Sequence, residues 1–356
     1  MPNNDYTFQG WTGHDASSAK GNMKWETYVP KPWTEDDVDI KITHCGVCGS
    51  DIHTLRSGWS PTLYPCVVGH EIVGTAVRVG SNVKHLRVGM RVGVGTQASS
   101  CLKPDCAMCA DDLEQHCPHL VGTYNGIFFD EKGSKSYGGY ATYSRTPGHF
   151  VIEIPEGVES EHAAPLMCGG VTVFVPLKRY KAQGKRVGVI GLGGLGHFAV
   201  LFAKALGARE VVVISRTRSK EADAKQLGAD RFIATSEEGW SAGTNANSLD
   251  LIISTVSGDK MPFSGYLSLV AFAGTFVMVG APEEPLPGFV AWQLILNRVS
   301  VTGSAIGSPR DIRDMFEVVR EKGVRPWTQC LPMAEANRAV VEFEEGSPRY
   351  RFVLEN

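Results

Sequence analysis

The pattern of apolar and polar positions predicts a β-rich region in the first part of the chain. Residues 36–95 carry short apolar stretches separated by glycines: DVDIKI, CVVGHEIVGTAVRVG and VGMRVGVG. Short alternating runs broken by turn residues are typical of strands, and helical periodicity is sparse here. This region is therefore predicted to form a compact, largely β, barrel-like domain.

From about residue 160 the pattern changes to strands that alternate with helices. Strand-like runs are KRVGVIG, EVVVIS, RFIAT, LDLIIST and TFVMVGA, and helical patterns GLGHFAVLFAKALGA and SKEADAKQLGA separate the first three. Such alternation predicts βαβ units and a parallel sheet. The last helical patterns and the final strand RYRFVLE are expected to return to the first domain. We therefore predict one domain from residues 1–159 with 307–356 and a second from residues 160–306.

Composition and charge exclude several function classes. The chain has 356 residues, 43% of them hydrophobic and 21% charged, which indicates a globular protein with room for two domains. A net charge of −3 without a Lys/Arg block argues against nucleic acid or an anionic membrane as partner and favours small molecules. The N-terminus, MPNNDYTFQG, lacks a secretory pattern, and no run of eighteen apolar residues occurs, so a cytoplasmic location is predicted.

The stretch SCLKPDCAMCADDLEQHC holds four cysteines, Cys101, Cys106, Cys109 and Cys117. In a reducing compartment, clustered cysteines are more often metal ligands than disulfides. Four thiolates would close a tetrahedral zinc site to substrate and make it structural. Unrelated buried thiols and a disulfide pair remain as alternatives.

A G-x-G-x-x-G motif predicts a dinucleotide site. It directly follows an apolar strand and opens a helix, the context in which its glycines permit a tight turn and close approach of the pyrophosphate. The alternative is an ordinary glycine-rich turn. The residues predicted to contact the cofactor are Gly191, Leu192, Gly193, Gly194, Leu195 and Gly196.

The turn after EVVVIS predicts the type of cofactor. An NAD site usually has an acidic residue here, about 20 residues beyond the glycines, to bind the ribose hydroxyls. This chain instead has Ser215, Arg216 and Lys220 in the sequence SRTRSK. Hydroxyls and cations suit the 2′-phosphate of NADP(H), which Arg216 can bind in bidentate fashion. A solvated basic turn is the alternative.

Three further stretches carry zinc-ligand residue types: HCGVCGSDIH, VVGHEIVG with His70, and PLMCGG with Cys168. A cysteine, a histidine and a second cysteine would leave the fourth zinc position open, as a catalytic site requires. On spacing alone, His70 could instead be a core histidine and Cys168 a small hydrophobic residue.

Taken together, these stretches resemble the zinc-dependent medium-chain alcohol dehydrogenases, and among them the cinnamyl alcohol dehydrogenase branch. The resemblance implies a GroES-like catalytic domain built from both chain ends, a Rossmann domain between them, and commonly a homodimer joined through Rossmann edge strands. It covers nearly the whole chain. The matching motifs are CGVCGSDIH, YPCVVGHEIVG, the lobe ending EQHC, TYNGIF followed by YGGYA, PLMCGGVTV, GLGGLGH, ISRTRSK, GSAIGS and RYRFV.

The resemblance also assigns roles at the catalytic zinc. It implies that Cys48, His70 and Cys168 are the ligands, with Glu71 behind the metal and Asp51 orienting His70. With the four-cysteine lobe this makes two zinc ions per chain. In the family pattern only the second cysteine of C-x2-C binds, so the first, at position 45, is left out of the ligand set.

A proton relay and a substrate residue follow from the same resemblance. Ser50 would pass the proton through the cofactor ribose to His53, although both could be ordinary loop residues. Trp59 is a candidate pocket aromatic, or packing beneath a loop.

The predicted activity is zinc-dependent interconversion of primary alcohols and aldehydes of cinnamyl, benzylic or medium aliphatic type with NADP(H), mainly as aldehyde reduction. One alternative is the same scaffold acting on a polyol, or reducing a conjugated C=C or iminium. Another is an NADPH-binding protein without turnover, which the ligands of an open zinc site disfavour.

Overall fold

The computed structural model describes residues 6–256, 258 and 261–356; residues 1–5, with which the predicted non-secretory N-terminus begins, lie outside it. In chain order the strands are β1 Gln9–Gly13, β2 Lys24–Thr27, β3 Asp37–Gly46, β4 Cys66–Val67, β5 Ile72–Val79, β6 Arg91–Val94, β7 Gln97–Ser99, β8 Val121–Gly122, β9 Tyr143–Pro147, β10 Val151–Glu153, β11 Arg186–Ile190, β12 Glu210–Ser215, β13 Arg231–Ala234, β14 Leu249–Ser254, β15 Val270–Met278, β16 Ser300–Gly303, β17 Thr328–Pro332 and β18 Arg351–Glu355. The helices are α1 Gly49–Leu55, α2 Ala107–Ala110, α3 Ser160–Pro165, α4 Val171–Arg179, α5 Gly194–Ala205, α6 Glu221–Gln226, α7 Phe263–Ser268, α8 Trp292–Asn297, α9 Pro309–Lys322 and α10 Ala336–Glu344. Within the described ranges, none of these helices combines the length and hydrophobicity needed to cross a bilayer.

The chain forms two compact units. The first comprises residues 1–168, 307–321 and 327–356, and the second comprises residues 169–306 with 322–326. Both ends of the chain therefore contribute to the first unit, where the C-terminal strand β18 pairs with β3.

The first unit is built around a sheet with the strand order β10-β6-β5-β3-β18-β17, in which β9 also pairs with β3. Strand β3 lies at its centre because Val38, Ile40 and Ile42 alternate along DVDIKI and all three are buried. A three-stranded sheet β2-β1-β4 and the ribbon β7-β8 complete the β structure. This is the largely β region that the apolar pattern predicted.

The second unit contains six parallel strands in the order β13-β12-β11-β14-β15-β16. Its inner strands are continuous apolar runs, such as the buried residues 211–214 of β12, as expected of parallel strands covered on both faces. The strand order reverses between β11 and β14, where ligands of such sheets bind at the carboxyl ends of the strands. The glycine motif follows β11, at this edge of the sheet.

Candidate active site and metal centres

The four-cysteine lobe brings its thiols together. The sulfur atoms of Cys101, Cys106, Cys109 and Cys117 lie within 4.8 Å of one another. Cys101 Sγ is 3.5 Å from Cys117 Sγ and 3.7 Å from Cys109 Sγ, and the sulfur atoms of Cys106 and Cys117 are 4.0 Å apart. Four sulfur atoms around zinc at about 2.3 Å form a tetrahedron with edges of about 3.8 Å. The four thiols therefore fit a closed zinc site.

The lobe accommodates four residues, LKPD, between its first two cysteines. Residues 102–105 are exposed, and Leu102 adopts a left-handed conformation with φ of 48°. The extra residues therefore form an outward turn, and Cys101 remains within reach of Cys109 and Cys117.

A second cluster lies in the interior of the first unit. One ligand atom from each of Cys48, His70, Glu71 and Cys168 lies within 4.8 Å of the others, and all four residues are buried. Cys48 caps α1, and His70 and Glu71 lie between β4 and β5. Cys168 lies on a wide π-helical turn, Leu166–Gly170, which follows the proline that ends α3; π turns often mark functional sites.

The imidazole of His70 has one nitrogen engaged and one unused. Its Nδ1 lies 2.9 Å from the Tyr124 hydroxyl and 3.5 Å from Asp51 Oδ1. Its Nε2 is buried and has no hydrogen-bond partner within the described part of the chain. A histidine held through one nitrogen and unpaired at the other fits a metal ligand.

The electrostatics of the cluster favour the thiolate form of Cys48, which is its metal-binding form. A hydrogen bond with Cys168, and then the charge of His70, hold the pKa of the Cys48 thiol well below its usual range against the opposing effect of burial. Burial favours the neutral form of His70, but the charges of Asp51 and Cys48 outweigh it and raise the pKa of the imidazole to about 9. The cluster therefore favours a Cys48 thiolate beside a protonated His70. A bound zinc ion would take the place of the imidazole proton, because histidine binds metals in its neutral form.

Behind the cluster lies a buried ion pair. Glu71 accepts hydrogen bonds at 2.5 and 2.6 Å from the Arg351 guanidinium, which also donates to the Val47 carbonyl at 2.9 Å. Burial raises the pKa of Glu71 to about 8, and the charge of Arg351 opposes this shift. A Cβ atom at position 46 would lie 1.9 Å from Glu71 Oε2, so only glycine leaves room for the carboxylate. Sequence reasoning assigned Glu71 but not Arg351, although RYRFV contains it.

Asp51 is the polar centre beneath the cluster. Its Oδ2 accepts hydrogen bonds from the Cys48 backbone N–H at 2.9 Å and the Tyr140 hydroxyl at 3.0 Å, and its Oδ1 accepts one from the Gly69 N–H at 3.1 Å. Burial, followed by the charge of Asp51, raises the pKa of the Tyr124 hydroxyl well above its usual range, and a hydrogen bond to Asp51 adds to this shift. Sequence reasoning placed Asp51 near His70 but missed Tyr124.

Ser50, His53, Trp59 and His70 line one cleft of about 420 Å³. The Ser50 hydroxyl lies 3.6 Å from the sulfur of the neighbouring ligand candidate Cys48. The rings of His53 and Trp59 stack with centroids 4.4 Å apart. Trp59 therefore contacts the predicted relay histidine and also contributes to the cleft wall.

The glycine motif of the second unit has the backbone that phosphate binding requires. Gly191 has φ of +86°, and a Cβ atom at Gly196 would lie 1.8 Å from the Gly191 carbonyl oxygen. At Gly193 a Cβ atom would meet nothing within 4 Å among the described residues, so the space at the start of α5 is open. This turn fits a pyrophosphate at the helix N-terminus.

The basic turn lies beside the glycine motif. Lys220 Nζ donates a hydrogen bond to the Leu192 carbonyl at 2.8 Å, which joins the two turns. Arg218 is paired with Glu221 at 2.8 Å and with Glu237 at 2.6 Å. Arg216 is exposed beside the end of β12. The three cations of the turn are therefore engaged differently: Arg218 is held by two glutamates, Lys220 is bonded to the glycine turn, and Arg216 is exposed to solvent.

Comparisons with known proteins agree with this geometry. Residues 34–156 match the alcohol dehydrogenase GroES-like domain, and residues 194–321 match the zinc-binding dehydrogenase domain. NADP-dependent alcohol dehydrogenase 6 of Saccharomyces cerevisiae is 42% identical over 339 residues, covering 94% of this chain and 92% of the relative. A cinnamyl alcohol dehydrogenase structure from Sorghum bicolor matches with a TM-score of 0.92 and 37% identity over 98% of both chains. The CAD structure from Helicobacter pylori, complexed with NADP(H), matches with a TM-score of 0.89 and 31% identity over 98% of both chains. The predicted fold class, a GroES-like domain with a Rossmann sheet, is confirmed.

Proposed function

The chain belongs to the zinc-dependent alcohol dehydrogenases and interconverts alcohols and aldehydes with NADP(H), and we propose that it acts chiefly as a reductase of cinnamyl, benzylic or medium aliphatic aldehydes. The observation that carries the proposal is the cleft that His70 shares with Ser50, His53 and Trp59. Its volume of about 420 Å³ suits a small organic molecule. Trp59 and Tyr124 in its wall favour a flat apolar substrate.

The two cysteine clusters would hold zinc in two different roles. Cys48, His70 and Cys168 would bind the catalytic ion, and the four-cysteine lobe would bind the structural one. Zinc in the buried site would act as a Lewis acid towards the carbonyl oxygen, and NADPH would supply the hydride. Glu71 would keep its place behind the ligands through its bonds to Arg351.

Aldehyde reduction also consumes a proton, which the chain must deliver. The Ser50 hydroxyl lies beside Cys48 in the cleft, where it can donate to a developing alkoxide. His53 lies in the same cleft, and imidazoles exchange protons readily near neutral pH. We assign the two residues to the proton path, with Ser50 nearer the substrate.

The second unit would bind the cofactor. The glycine turn from Gly191 to Gly196 would receive the pyrophosphate at the N-terminus of α5. Ser215, Arg216 and Lys220 would form the site of the 2′-phosphate, with the exposed Arg216 as its main cation.

We further propose that the enzyme is a homodimer joined through the edge of the parallel sheet. Strand β16 is the last strand of that sheet, and helix α8 exposes Trp292, Ile295 and Leu296 with relative accessibilities of 61%, 61% and 69%. An edge strand beside exposed apolar side chains is a frequent site of association. Light scattering should give twice the chain mass, and Leu296→Asp should lower it towards the monomer; an unchanged dimer in that variant would exclude this surface.

A cytoplasmic location is also proposed. All nine cysteines are free thiols, including the partly exposed ones of the lobe. Free thiols and thiolate zinc sites persist in reducing compartments. Fractionation of the source cells with activity and immunoblot detection would test this location.

The first experiment compares initial rates of cinnamaldehyde reduction with NADPH and with NADH. We expect faster turnover with NADPH and cinnamyl alcohol as product, whereas 3-phenylpropanal would indicate reduction of the conjugated C=C instead.

Arg216→Asp should shift the ratio of the kcat/KM value with NADPH to that with NADH by about 10- to 100-fold in favour of NADH, since a charge-assisted bond of about 1.5–3 kcal/mol is lost. Arg218→Gln is the matched control, because Arg218 is already paired with two glutamates. An unchanged ratio in the Arg216 variant would remove this residue from the phosphate site.

A further inference from the structure

The Nδ1 atom of His70 faces two oxygen atoms at unequal distances. The Tyr124 hydroxyl is 2.9 Å away, within ordinary hydrogen-bonding range, and Asp51 Oδ1 is 3.5 Å away, at the outer limit. The rings of His70 and Tyr124 also stack, with centroids 5.3 Å apart and an interplanar angle of 27°. Tyr124 is therefore the direct partner of the imidazole.

Asp51 already has other donors. Three hydrogen bonds of 2.9 to 3.1 Å reach its two oxygen atoms, from the backbone of Cys48, the backbone of Gly69 and the hydroxyl of Tyr140. These bonds fix the carboxylate in place without any contribution from His70. The charge of the same carboxylate also acts on the Tyr124 hydroxyl, whose pKa is raised chiefly by burial and then by Asp51.

Tyr124 is held by a firmly bonded turn. The neighbouring Thr123 donates its backbone N–H to the Thr96 carbonyl at 2.9 Å and its hydroxyl to the Gly95 carbonyl. On the other side, Asn125 accepts the backbone N–H of Leu63 at 2.7 Å. Tyr124 itself is 9% exposed, so surrounding side chains limit the movement of its ring away from His70.

We propose that Tyr124 is the positioning residue of the candidate catalytic zinc site: its hydroxyl accepts the Nδ1–H of His70 and donates its own proton to Asp51. A phenol can do both at once, whereas an ionised carboxylate can only accept. The chain Asp51–Tyr124–His70 fixes the imidazole in the tautomer that carries its proton on Nδ1. The buried Nε2, which has no partner among the described residues, is thereby left as the metal-binding atom.

This inference rests on the proposed assignment of His70 as a zinc ligand, and the test separates the two. The as-isolated enzyme and its Tyr124→Phe variant are dialysed against a chelator, and zinc per chain is measured over time. Loss of the hydroxyl should weaken zinc retention at one site by about 10- to 100-fold, while phenylalanine preserves the stack on His70. The four-cysteine lobe serves as an internal reference, because its zinc should leave both proteins at the same rate.

Tyr140→Phe is the matched control. This substitution removes another buried hydroxyl that donates to Asp51. In this structure the Tyr140 hydroxyl is bonded to Asp51, whereas the partner of His70 Nδ1 is Tyr124. We expect zinc loss from Tyr140→Phe to stay within about threefold of the unmodified enzyme. Zinc retention equal to that of the unmodified enzyme in Tyr124→Phe, or equally fast zinc loss in Tyr140→Phe, would overturn the role of Tyr124.

The ligand assignment has its own test. His70→Gln should lose the zinc of the buried site at once; if this variant keeps both ions, the ligand assignment itself fails. A changed visible spectrum of the cobalt-loaded Tyr124 variant would support the role independently of activity, and an unchanged one would contradict it.

Discussion

Cys101, Cys106 and Cys109 of the four-cysteine lobe are partly exposed, whereas Cys48 and Cys168 are buried, with 8% and 5% of their surface accessible. The lobe offers four sulfur atoms and so occupies every position around a tetrahedral ion. The buried cluster offers two sulfur atoms and one imidazole nitrogen, with a carboxylate tied to an arginine behind them. Cysteine sulfur thus suits a closed zinc site in the lobe and an open zinc site in the buried cluster.

The two clusters also stabilise negative sulfur by different means. At the lobe, burial opposes ionisation of Cys117, but backbone N–H groups of Cys101 and His119 outweigh it and lower the pKa of the thiol to about 7. At the buried cluster the pKa of Cys48 is lowered chiefly by a hydrogen bond with the Cys168 side chain, and the charges of His70 and Arg351 lower it further against the effect of burial. Backbone donors cost no further burial of charge, whereas a buried charge must be paired. The thiolate of the interior site is therefore stabilised by side chains that are remote in sequence, and that of the lobe is stabilised mainly by groups within the lobe.

The sharpest test of this contrast is Cys48→Ser. Removing this candidate zinc ligand should lower kcat/KM for aldehyde reduction by about 1,000-fold or more, since a catalytic zinc ion would contribute several kcal/mol of charge stabilisation to the transition state. NADPH binding, followed by cofactor fluorescence, should persist, and the lobe should keep its zinc. Cys45→Ala is the matched control, because Cys45 lies three residues earlier, is buried and is outside the cluster. Retained turnover in Cys48→Ser would mean that the buried cluster is not the reaction centre.

Glu71→Ala tests the dependence of the buried site on a distant charge. It leaves the fully buried Arg351 guanidinium without its carboxylate, which should destabilise the protein by about 3–5 kcal/mol. The melting temperature should fall by roughly 6–20 °C. Glu71→Gln keeps the side-chain volume and one hydrogen-bond acceptor, so its melting temperature should fall less. Adding Arg351→Met to the Glu71→Ala variant should recover part of the lost stability, because it removes the unpaired buried charge. A melting temperature equal to that of the unmodified enzyme would show that the pair is dispensable.

The features that the sequence predicted are those that local spacing encodes. The four cysteines of the lobe fall within eighteen residues, and the glycine motif occupies six, so residue type and order sufficed for both. The change from a β-rich to an alternating pattern predicted the two kinds of sheet, and the family resemblance and the fold class are confirmed. Cys48, His70 and Cys168, by contrast, required the resemblance, because three separate segments carry them.

The residues that escaped prediction are those whose partners are remote in sequence. Arg351 lies 280 positions from Glu71, and Tyr124 lies 54 positions from His70. An arginine in a C-terminal strand reads as a surface residue until the pairing of β18 with β3 buries it. TYNGIF, which contains Tyr124, was recognised as part of the resemblance. Nothing in its spacing shows that the Tyr124 hydroxyl contacts the imidazole of His70.

Cys106→Ser tests the other cluster. One thiolate fewer should release zinc from the lobe and lower the melting temperature by roughly 5–10 °C, or about 2–4 kcal/mol, a small share of the ~10 to 16 kcal/mol seen for zinc in small peptides. Cleavage by a protease should increase within residues 101–117, while kcat changes by less than about threefold. If cleavage is unchanged after the zinc has left, the lobe does not need its metal for order.

The smallest expected effect is that of Ser100→Ala. The Ser100 hydroxyl lies 3.4 Å from Cys109 Sγ and is the counterpart at the lobe of the Tyr124 hydroxyl at the buried site. Because the backbone of the lobe also donates to its sulfur atoms, as His119 N–H does to Cys117 Sγ at 3.4 Å, the loss of one hydroxyl should speed zinc release only about two- to threefold. Tyr124→Phe should speed zinc release about tenfold more than Ser100→Ala does. Among the described residues, only Tyr124 and, at the 3.5 Å limit, Asp51 lie within hydrogen-bonding range of His70 Nδ1. Equal effects of the two variants, measured as zinc loss in one chelator, would mean that the interior site relies on remote side chains no more than the lobe does.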